Sequence, residues 1–401
     1  MAGKRSAGLK SIVTILAVLV AAAMTFFLQV ILSRSLLPVD FGRYALINSI
    51  LMMSAPVASA GVAALLLRRR VRGESGSIGV ALAASTILCL LAVVVTISVA
   101  GALGVLGLPS ILLSTLCFAM AAQALSVSLA QADEEPGSVA LAQIILPLLR
   151  ILGAVVAVVL GAELLGVSVA LAVAGLAAAC VYWVLQLRRA RVAEPCAPGR
   201  TRAFLRESMP YSVNAIVNVA QLQVIVALSS VVFDLQVTGR IAIVMTLLAA
   251  VYLLPNTVFG VVLLPRYHRL IPGGDERWLP MLHALMAAIP AILIALFFWW
   301  SGSKLMGLAF GHAGAAAYPL LAALVWAIPL RFYSTGIGAA LLSESAIRWK
   351  VPVSVAAVVV QGALCILLKG KAEHTFATAM IVGELLVAVF YSIVFVREFR
   401  K

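Results

Sequence analysis

Charged residues are scarce in this 401-residue sequence, because Asp, Glu, Lys and Arg together make up only 11% of its residues. Soluble domains carry roughly a quarter of charged residues, since polar side chains must cover a surface that faces water. So little charge excludes a water-soluble globule. Apolar residues make up 64% of the chain, and the run 11–32 exceeds the ~18 apolar residues of a membrane-spanning helix. The sequence therefore predicts a polytopic integral membrane protein.

The first apolar run follows three basic residues, Lys4, Arg5 and Lys10, as the apolar region of a cleavable signal peptide does. It is longer than such a region, and Gln29 and Arg34 occupy the place of a small-residue cleavage site. We therefore expect an uncleaved first span.

Cysteine is also scarce, with five residues in the whole chain. Cys89, Cys117, Cys180 and Cys365 lie in apolar runs and Cys196 in a basic loop, without the spacing of a metal site. We expect the four cysteines of the apolar runs to be small, buried apolar side chains.

Catalytic motifs are missing as well. The four histidines are scattered over loops and helix ends, and no Ser/His/Asp, H-E-x-x-H or P-loop pattern occurs. The sequence thus predicts a protein that is not an enzyme and holds neither a metal nor a cofactor. The net charge of +14 does not indicate a nucleic-acid partner, because the charges lie in short clusters between apolar runs.

The apolar runs predict twelve membrane-spanning helices. Their ranges are 11–33, 42–67, 78–106, 109–131, 138–160, 164–187, 208–232, 240–265, 281–300, 317–343, 351–369 and 375–396. On the side of both termini, the termini and the connections together carry 21 basic residues, and on the opposite side the connections carry six. Because cytoplasmic loops hold the excess of Lys and Arg, we expect both termini in the cytoplasm.

The longest connection, residues 188–207, divides the predicted helices into two sets of six. We interpret it as a cytoplasmic linker between an N-terminal lobe, residues 1–187, and a C-terminal lobe, residues 208–401. Residues 39–45, VDFGRYA, resemble residues 236–242, QVTGRIA, at an offset of 197 that also places the first helix on the seventh. The sequence predicts two six-helix bundles related by a parallel pseudo-two-fold repeat, with a transport path between them.

The hairpin between the first two helices contains the stretch LLPVDFGRYALIN, residues 36–48. We expect Pro38 to end the first helix and Asp40 to cap the second helix, which Phe41 and Gly42 begin.

Polar side chains at membrane depth are the candidates for function, because each costs several kcal/mol unless it is paired or faces water. They include two arginines near the middle of the fifth and tenth helices and a polar stripe on the seventh. The candidates for a substrate cavity are Arg150, Arg331, Gln143, Asn214, Asn218, Gln221, Gln29 and Asn48, and Glu384 is a candidate ion-coupling site or counter-ion.

Two interpretations of the deep charges stay open. In one, Arg150 and Arg331 face a water-filled cavity and bind an anionic headgroup, since a guanidinium donates paired hydrogen bonds to phosphate. In the other, Arg331 pairs with Glu384 and locks two helices together. Glu384 then serves either as a counter-ion or as the site of a coupling ion, H⁺ or Na⁺. The amides equally suit hydrogen bonds between helices.

The segment SRSLLPVDFGRYALINSILMMSAPVASAGVAALLLRR, residues 33–69, resembles the start of the polysaccharide-transporter branch of the multidrug/oligosaccharidyl-lipid/polysaccharide exporter superfamily. That branch includes the Wzx-type O-antigen flippases and typically shows R-x-L-x-P-x-D-F-G-x-Y here. Residues 336–350, GIGAALLSESAIRWK, are similar to the ending of its tenth helix. Twelve helices in two bundles also match the architecture of that branch.

The resemblance implies a flippase of the bacterial inner membrane. It would move an undecaprenyl-pyrophosphate-linked oligosaccharide of O-antigen, capsule or exopolysaccharide to the periplasmic leaflet by alternating access. Its partners would be this lipid-linked oligosaccharide, membrane lipids, a glycan polymerase and chain-length proteins.

Three other functions are alternatives to a flippase. A multidrug exporter of the same superfamily would favour acidic cavity residues, and a major-facilitator carrier would show a D-R-x-G-R-R-like loop that RRRVRGESG (68–76) lacks. A membrane-embedded glycan polymerase or ligase would place its chemistry in a long outward loop. No such loop is predicted.

Overall fold

The computed structural model describes residues 2–71, 77–190, 198–263, 278–341, 344–368 and 370–399. Within these ranges the chain is all-helical and contains no strand, which confirms the predicted fold class. The helices are α1 (Ala2–Ser35), α2 (Pro38–Ala58), α3 (Ala60–Val71), α4 (Ser77–Ala102), α5 (Leu108–Ser114), α6 (Leu116–Ala132), α7 (Pro136–Val159), α8 (Leu164–Ala190), α9 (Pro198–Val232), α10 (Leu235–Thr257), α11 (Leu279–Leu324), α12 (Ala327–Ala340), α13 (Glu344–Leu367) and α14 (Ala372–Phe399). A π-helical turn, Val258–Leu263, continues α10.

Eleven helical stretches of the described ranges are long and apolar enough to cross a membrane, so the protein is a multi-pass membrane protein. The 46-residue stretch Leu279–Leu324 is one of them. At ~1.5 Å per residue a straight helix of this length would far exceed a hydrocarbon core of about 30 Å. Stretch α11 therefore has to contain more than one span.

The chain reverses direction at Gly311. This glycine has φ 64° and ψ −145°, a backbone conformation that side chains of L-residues rarely allow. The Tyr318 hydroxyl donates to the Trp299 carbonyl at 2.6 Å, so the segments before and after Gly311 contact each other. The first segment is the predicted ninth span and the second begins the tenth, which α12 continues. The predicted connection 301–316 is therefore helical on both sides of this one turn.

The hairpin of the repeat recurs in register. Helix α1 ends at Ser35 and α2 begins at Pro38, while α9 ends at Val232 and α10 begins at Leu235. Each bound of the second hairpin lies 197 residues after its counterpart, which is the offset found in the sequence.

The prediction that Asp40 caps the second helix is wrong. Helix α2 begins at Pro38, and Asp40 lies in its first turn. Proline suits the first helical position because the N–H that it lacks would have no helical partner there. In the second copy an aspartate does cap the helix, since Asp234 Oδ1 accepts from the Val237 N–H at 2.7 Å.

The chain divides into two compact units, residues 1–219 and 220–401, with the boundary inside α9. In the first unit the start of α9 packs on α3, α4 and α6, and Phe204 is fully buried among them. The Arg69 guanidinium lies 4.9 Å from the Phe204 ring centre and pairs with Glu207. Residues 198–207 of the predicted linker thus form a helix that is attached to the first unit. The linker residues 191–197 lie outside the described residues.

Cysteine burial follows the expectation with one exception. Cys89, Cys117 and Cys365 are buried, whereas Cys180 is exposed on α8. Its neighbours Ala179 and Tyr182 point into the unit, and an exposed thiol in a membrane span meets lipid rather than water. Cys196 and several residues of the predicted basic clusters lie outside the described residues, namely Arg72, Arg191, Arg266, Arg269, Arg277, Lys369, Arg400 and Lys401.

Candidate functional site

Three of the predicted site residues meet inside the second unit. Arg331 Nη1 donates to Gln221 Oε1 at 2.7 Å and to Glu384 Oε1 at 3.0 Å. The side chains of Arg331 and Glu384 are only 12% and 2% exposed, and Gln221 is 3% exposed. The cluster joins α9, α12 and α14, and its ion pair matches the second interpretation of Arg331.

Two further side chains complete this cluster. Ser334 lies one turn after Arg331 on α12, and its hydroxyl donates to Glu384 Oε2 at 3.4 Å. The ring of Tyr252, on α10, lies 5.7 Å from the Arg331 guanidinium carbon, within the range of a cation–π interaction. The charge of Arg331 is therefore compensated by one carboxylate and one aromatic face.

A glycine positions Glu384. Gly383 precedes it on α14, and a Cβ at this position would lie 2.6 Å from Gln361 Cδ. A Cβ at this position would displace the Gln361 side chain, which is 1% exposed, so α13 approaches α14 closely here. This packing fixes the backbone that carries the carboxylate.

Lys350 binds the C-terminal end of α12. Its ammonium group donates to the Gly338 carbonyl at 2.9 Å and lies 5.8 Å from the ring centre of Tyr391. The carbonyls in the last turn of a helix lack helical partners, and a cation satisfies them well. Tyr391 in turn hydrogen-bonds Ser354 at 2.7 Å.

Three polar atoms of the Arg331 cluster are left without a hydrogen-bond partner among the described residues. The buried atoms Arg331 Nε and Gln221 Nε2 and the hydroxyl of Tyr252 have no hydrogen-bond partner among the described residues. The electrostatic charge is balanced but the hydrogen bonding is not, so the cluster suits an oxygen acceptor such as water.

Arg150 has a different environment in the first unit. It lies near the middle of α7, on the face formed by Leu146, Ala154 and Ala157, and is 6% exposed. Its Nε is buried without a hydrogen-bond partner, and no ion pair joins Arg150 to an acidic residue in the described part of the chain. Arg150 is therefore a buried, uncompensated cation at membrane depth.

The helix that carries Arg150 is interrupted by Pro147. Proline supplies no N–H to the carbonyl four residues earlier, which is that of Gln143. The Gln123 side chain on α6 donates to this carbonyl at 3.2 Å and to that of Ala142 at 3.1 Å. From α8, the Tyr182 hydroxyl donates to the Ala142 carbonyl at 2.7 Å and accepts from the Leu146 N–H at 3.2 Å. Neighbouring helices thus satisfy the backbone just before Arg150.

The remaining candidates for the substrate cavity make no hydrogen bonds with one another among the described residues. Gln29 is buried on α1, which packs along α7. Asn48 on α2, Gln143 on α7, and Asn214 and Asn218 on α9 are partly buried. Asn48 Oδ1 is a buried acceptor without a partner among the described residues. Substrate contact by these residues stays a prediction.

Several polar residues that make hydrogen bonds or ring contacts in the structure were not among the predicted site residues. Gln123 and Gln186 are amides inside apolar helices, so the criterion of polarity at membrane depth would have found both. Tyr252 and Tyr182 gave no such signal, because a tyrosine in an apolar run reads as an ordinary core residue.

Comparison with known structures identifies the fold. An inward-facing multidrug resistance MATE family transporter of the MOP superfamily matches with a TM-score of 0.71 and 11% identity, over 98% of this chain and 99% of that chain. The lipid II flippase MurJ, in an inward closed conformation, matches with 0.72 and 11% identity over 95% and 87%. A MOP superfamily transporter from Pyrococcus furiosus matches with 0.57 and 14% identity over 98% and 96%. At such identities the likeness establishes the fold.

Comparison with curated proteins gives no match. The family model described as polysaccharide biosynthesis protein matches residues 8–271, which is more than half of the chain. The match includes the segment 33–69 from which the resemblance was drawn and confirms that resemblance. This chain therefore belongs to the polysaccharide biosynthesis protein family.

Proposed function

We propose that this protein is a flippase that moves an undecaprenyl-pyrophosphate-linked oligosaccharide from the cytoplasmic to the periplasmic leaflet by alternating access. The observation that carries the proposal is Arg150, which is 6% exposed and has no acidic partner among the described residues. A cation buried at membrane depth costs about 2.5–3.5 kcal/mol or more. This cost is offset when an anionic ligand compensates the charge of Arg150 during transport.

A pyrophosphate fits that requirement. It offers several oxygen acceptors, and the planar guanidinium of Arg150 donates paired hydrogen bonds to such groups. The family match supports a polysaccharide precursor as the cargo, and the MOP fold supports transport rather than catalysis.

An exporter of small cationic compounds is the second candidate, and the likeness to a multidrug transporter favours it. Such a protein needs acidic residues that attract the cation. Among the buried residues described, Glu384 is the one carboxylate, and Arg331 already neutralises it at 3.0 Å. This charge balance supports the anionic cargo.

The test is complementation of a deletion strain of the source bacterium with single variants at native expression. We expect Arg150→Ala to abolish display of the surface glycan while lipid-linked oligosaccharide accumulates in the inner membrane, and Arg150→Lys to retain part of the export. Arg43→Ala is the matched control, because Arg43 is an exposed arginine on α2. Normal glycan display with Arg150→Ala would overturn the role of Arg150. Export of cationic dyes with unchanged glycan display on deletion would favour the second candidate.

Orientation in the inner membrane is part of the proposal. The 21 basic residues on the side of the termini support a cytoplasmic location of both. Fusion of a reporter to the C-terminus tests this, with fluorescence of a cytoplasmic reporter as the expected result and activity of a periplasmic reporter as the contrary one. Coupling to H⁺ or Na⁺ and contact with a glycan polymerase or chain-length protein belong to the same proposal. Transport in proteoliposomes under imposed ion gradients tests the ion coupling. Co-purification tests the contact with a polymerase or chain-length protein.

A further inference from the structure

Tyr182 on α8 bonds one rung of the hydrogen-bond ladder in α7. Its hydroxyl accepts from the Leu146 N–H at 3.2 Å and donates to the Ala142 carbonyl at 2.7 Å. In an α-helix each N–H bonds the carbonyl four residues earlier, so Leu146 and Ala142 are the donor and the acceptor of the same rung. The Tyr182 hydroxyl therefore engages both ends of a hydrogen bond that an undisturbed helix makes by itself.

Arg150 lies on the next rung of the same column. In the helical pattern its N–H bonds the carbonyl of Leu146, and the side chains of Ala142, Leu146 and Arg150 are buried on one face of α7. A side chain that inserts into the ladder bends a helix at that point. The geometry of the rung between residues 142 and 146 therefore determines where the backbone of Arg150 lies.

Pro147 makes this part of α7 dependent on bonds from outside the helix. A proline supplies no N–H to the carbonyl four residues earlier, and its ring crowds that carbonyl, which belongs to Gln143. Gln123 on α6 donates to the Gln143 carbonyl at 3.2 Å and to the Ala142 carbonyl at 3.1 Å. Two successive carbonyls of α7 thus receive hydrogen bonds from neighbouring helices, about two turns before Arg150.

The hydroxyl of Tyr182 belongs to a closely packed frame. Tyr182 is fully buried and lies in one hydrophobic cluster with Ala142 and Leu146. One turn later on α8, the Gln186 side chain donates to the Ala122 carbonyl at 2.6 Å, which joins α8 to α6. Because buried side chains in such packing have few alternative positions, the hydroxyl constrains the backbone of α7.

We propose that Tyr182, supported by Gln123, is a positioning residue for cargo binding: its hydroxyl holds α7 in the backbone geometry from which Arg150 reaches the pyrophosphate of the cargo. This inference rests on the proposed function, because it takes Arg150 as the residue that binds the pyrophosphate. The role differs from filling the core, since a phenylalanine would fill the same space. Without the hydroxyl, the Leu146 N–H bonds the Ala142 carbonyl directly, and the closed rung displaces Arg150.

The test is binding of undecaprenyl pyrophosphate to the purified full-length protein, measured by native mass spectrometry, with undecaprenol as a second probe. We expect Tyr182→Phe to weaken the binding of undecaprenyl pyrophosphate about tenfold, the smaller of the losses that removal of an orienting partner causes at metal sites. Binding of undecaprenol should be unchanged, because this alcohol lacks the group that Arg150 binds. Equal losses for both probes would assign Tyr182 to the general packing of the unit and overturn the proposal.

A double variant shows whether Tyr182 acts through Arg150. Arg150→Ala should weaken the binding of undecaprenyl pyrophosphate by about ten- to hundredfold, and Tyr182→Phe should add no further loss to it. Additive losses would overturn the positioning role while leaving the cargo site in place. Unchanged binding in Arg150→Ala would instead contradict the proposed function at its cargo site, and the positioning role would fall with it.

Tyr318→Phe is the matched control for the loss of a bond between a tyrosine and a carbonyl. The Tyr318 hydroxyl donates to the Trp299 carbonyl at 2.6 Å in the second unit, so this variant should bind both probes as the unmodified protein does. Gln123→Met removes the other outside donor at similar size and should affect the two probes as Tyr182→Phe does. It keeps the test decisive if Tyr182→Phe is unstable. An unchanged preference for the pyrophosphate in both variants would show that these bonds do not position Arg150.

Discussion

Arg331 and Glu384 form an ion pair between α12 and α14, with 3.0 Å between Nη1 and Oε1 and with 12% and 2% of the two side chains exposed. A single carboxylate at this depth would be costly, as would a single guanidinium, and the attraction between them offsets part of both costs. Since Gln221 also binds Arg331, the pair connects three helices of the second unit. A structural role for the pair therefore predicts a loss of stability when either partner is removed.

Removing one partner of this pair should be more damaging than removing both. We expect Glu384→Gln and Arg331→Met each to destabilise the protein by about 3–5 kcal/mol, because each leaves a buried charge uncompensated. The double variant should lose distinctly less than the sum of the single losses. Thermal unfolding of the purified proteins in one detergent measures all three.

Exchange of the two charges sharpens this test. Arg331→Glu combined with Glu384→Arg should recover part of the stability that either change alone removes. The control is Arg43→Ala, which removes an exposed arginine and should shift the unfolding temperature little. Additive losses in the double variant would argue against a direct pair.

Arg150 should behave in the opposite way. Since it is buried without a counter-ion in the described chain, we expect Arg150→Leu to leave the stability unchanged or to raise it by about 1–3 kcal/mol. Export should nevertheless be lost, as a site that binds an anion gives up stability for function. Unfolding temperature and glycan display are to be measured on the same variant. A clear drop in unfolding temperature would assign Arg150 a structural role instead.

The attachment of α9 to the first unit should depend on Phe204 rather than on the neighbouring ion pair. Phe204 is fully buried, so Phe204→Ala should cost about 3–5 kcal/mol through lost burial and a cavity. The Arg69–Glu207 pair is partly exposed to solvent, and Glu207→Gln should cost only about 0–1 kcal/mol. Denaturation of the two variants in detergent gives the comparison. Equal losses would show that the ion pair contributes as much to the attachment as the buried ring does.

Much of the fold could be predicted from apolar runs, because a membrane span has to be apolar over a length that the bilayer sets. The bounds of the helices were less predictable where a single residue determines the position of a helix end. Gly311 reverses the chain between two helical segments, and one glycine among the 29 of the sequence carries no special signal. Pro38 begins α2 four residues before the predicted start, because a proline that ends one helix also suits the first position of the next.

The candidate site was predictable only residue by residue. Polarity at membrane depth identified Arg331, Glu384 and Gln221, since burial of such groups is costly everywhere in a bilayer. Which of them meet depends on helix rotation and on close approaches such as that of Gln361 to Gly383. Those features depend on packing between segments far apart in the sequence. The sequence therefore left the pairing of Arg331 with Glu384 as one of two interpretations, and the structure shows the contact between them.

Gly61 permits the close approach of α9 to α3, and its substitution should loosen this contact. A Cβ at Gly61 would lie 2.6 Å from the Ser208 carbonyl oxygen and 2.8 Å from the Ser212 nitrogen, and backbone atoms cannot move aside as a side chain can. We expect Gly61→Ala to cost about 1–3 kcal/mol through overpacking. The displaced helix should also become more sensitive to trypsin after Arg202 and Arg206, which are exposed. Gly307→Ala is the control, because nothing lies within 4 Å of a Cβ there, and alanine should be neutral or favourable in that helix. If the two variants unfold at the same temperature and are cleaved at the same rate, the contact between α3 and α9 is looser than the structure indicates.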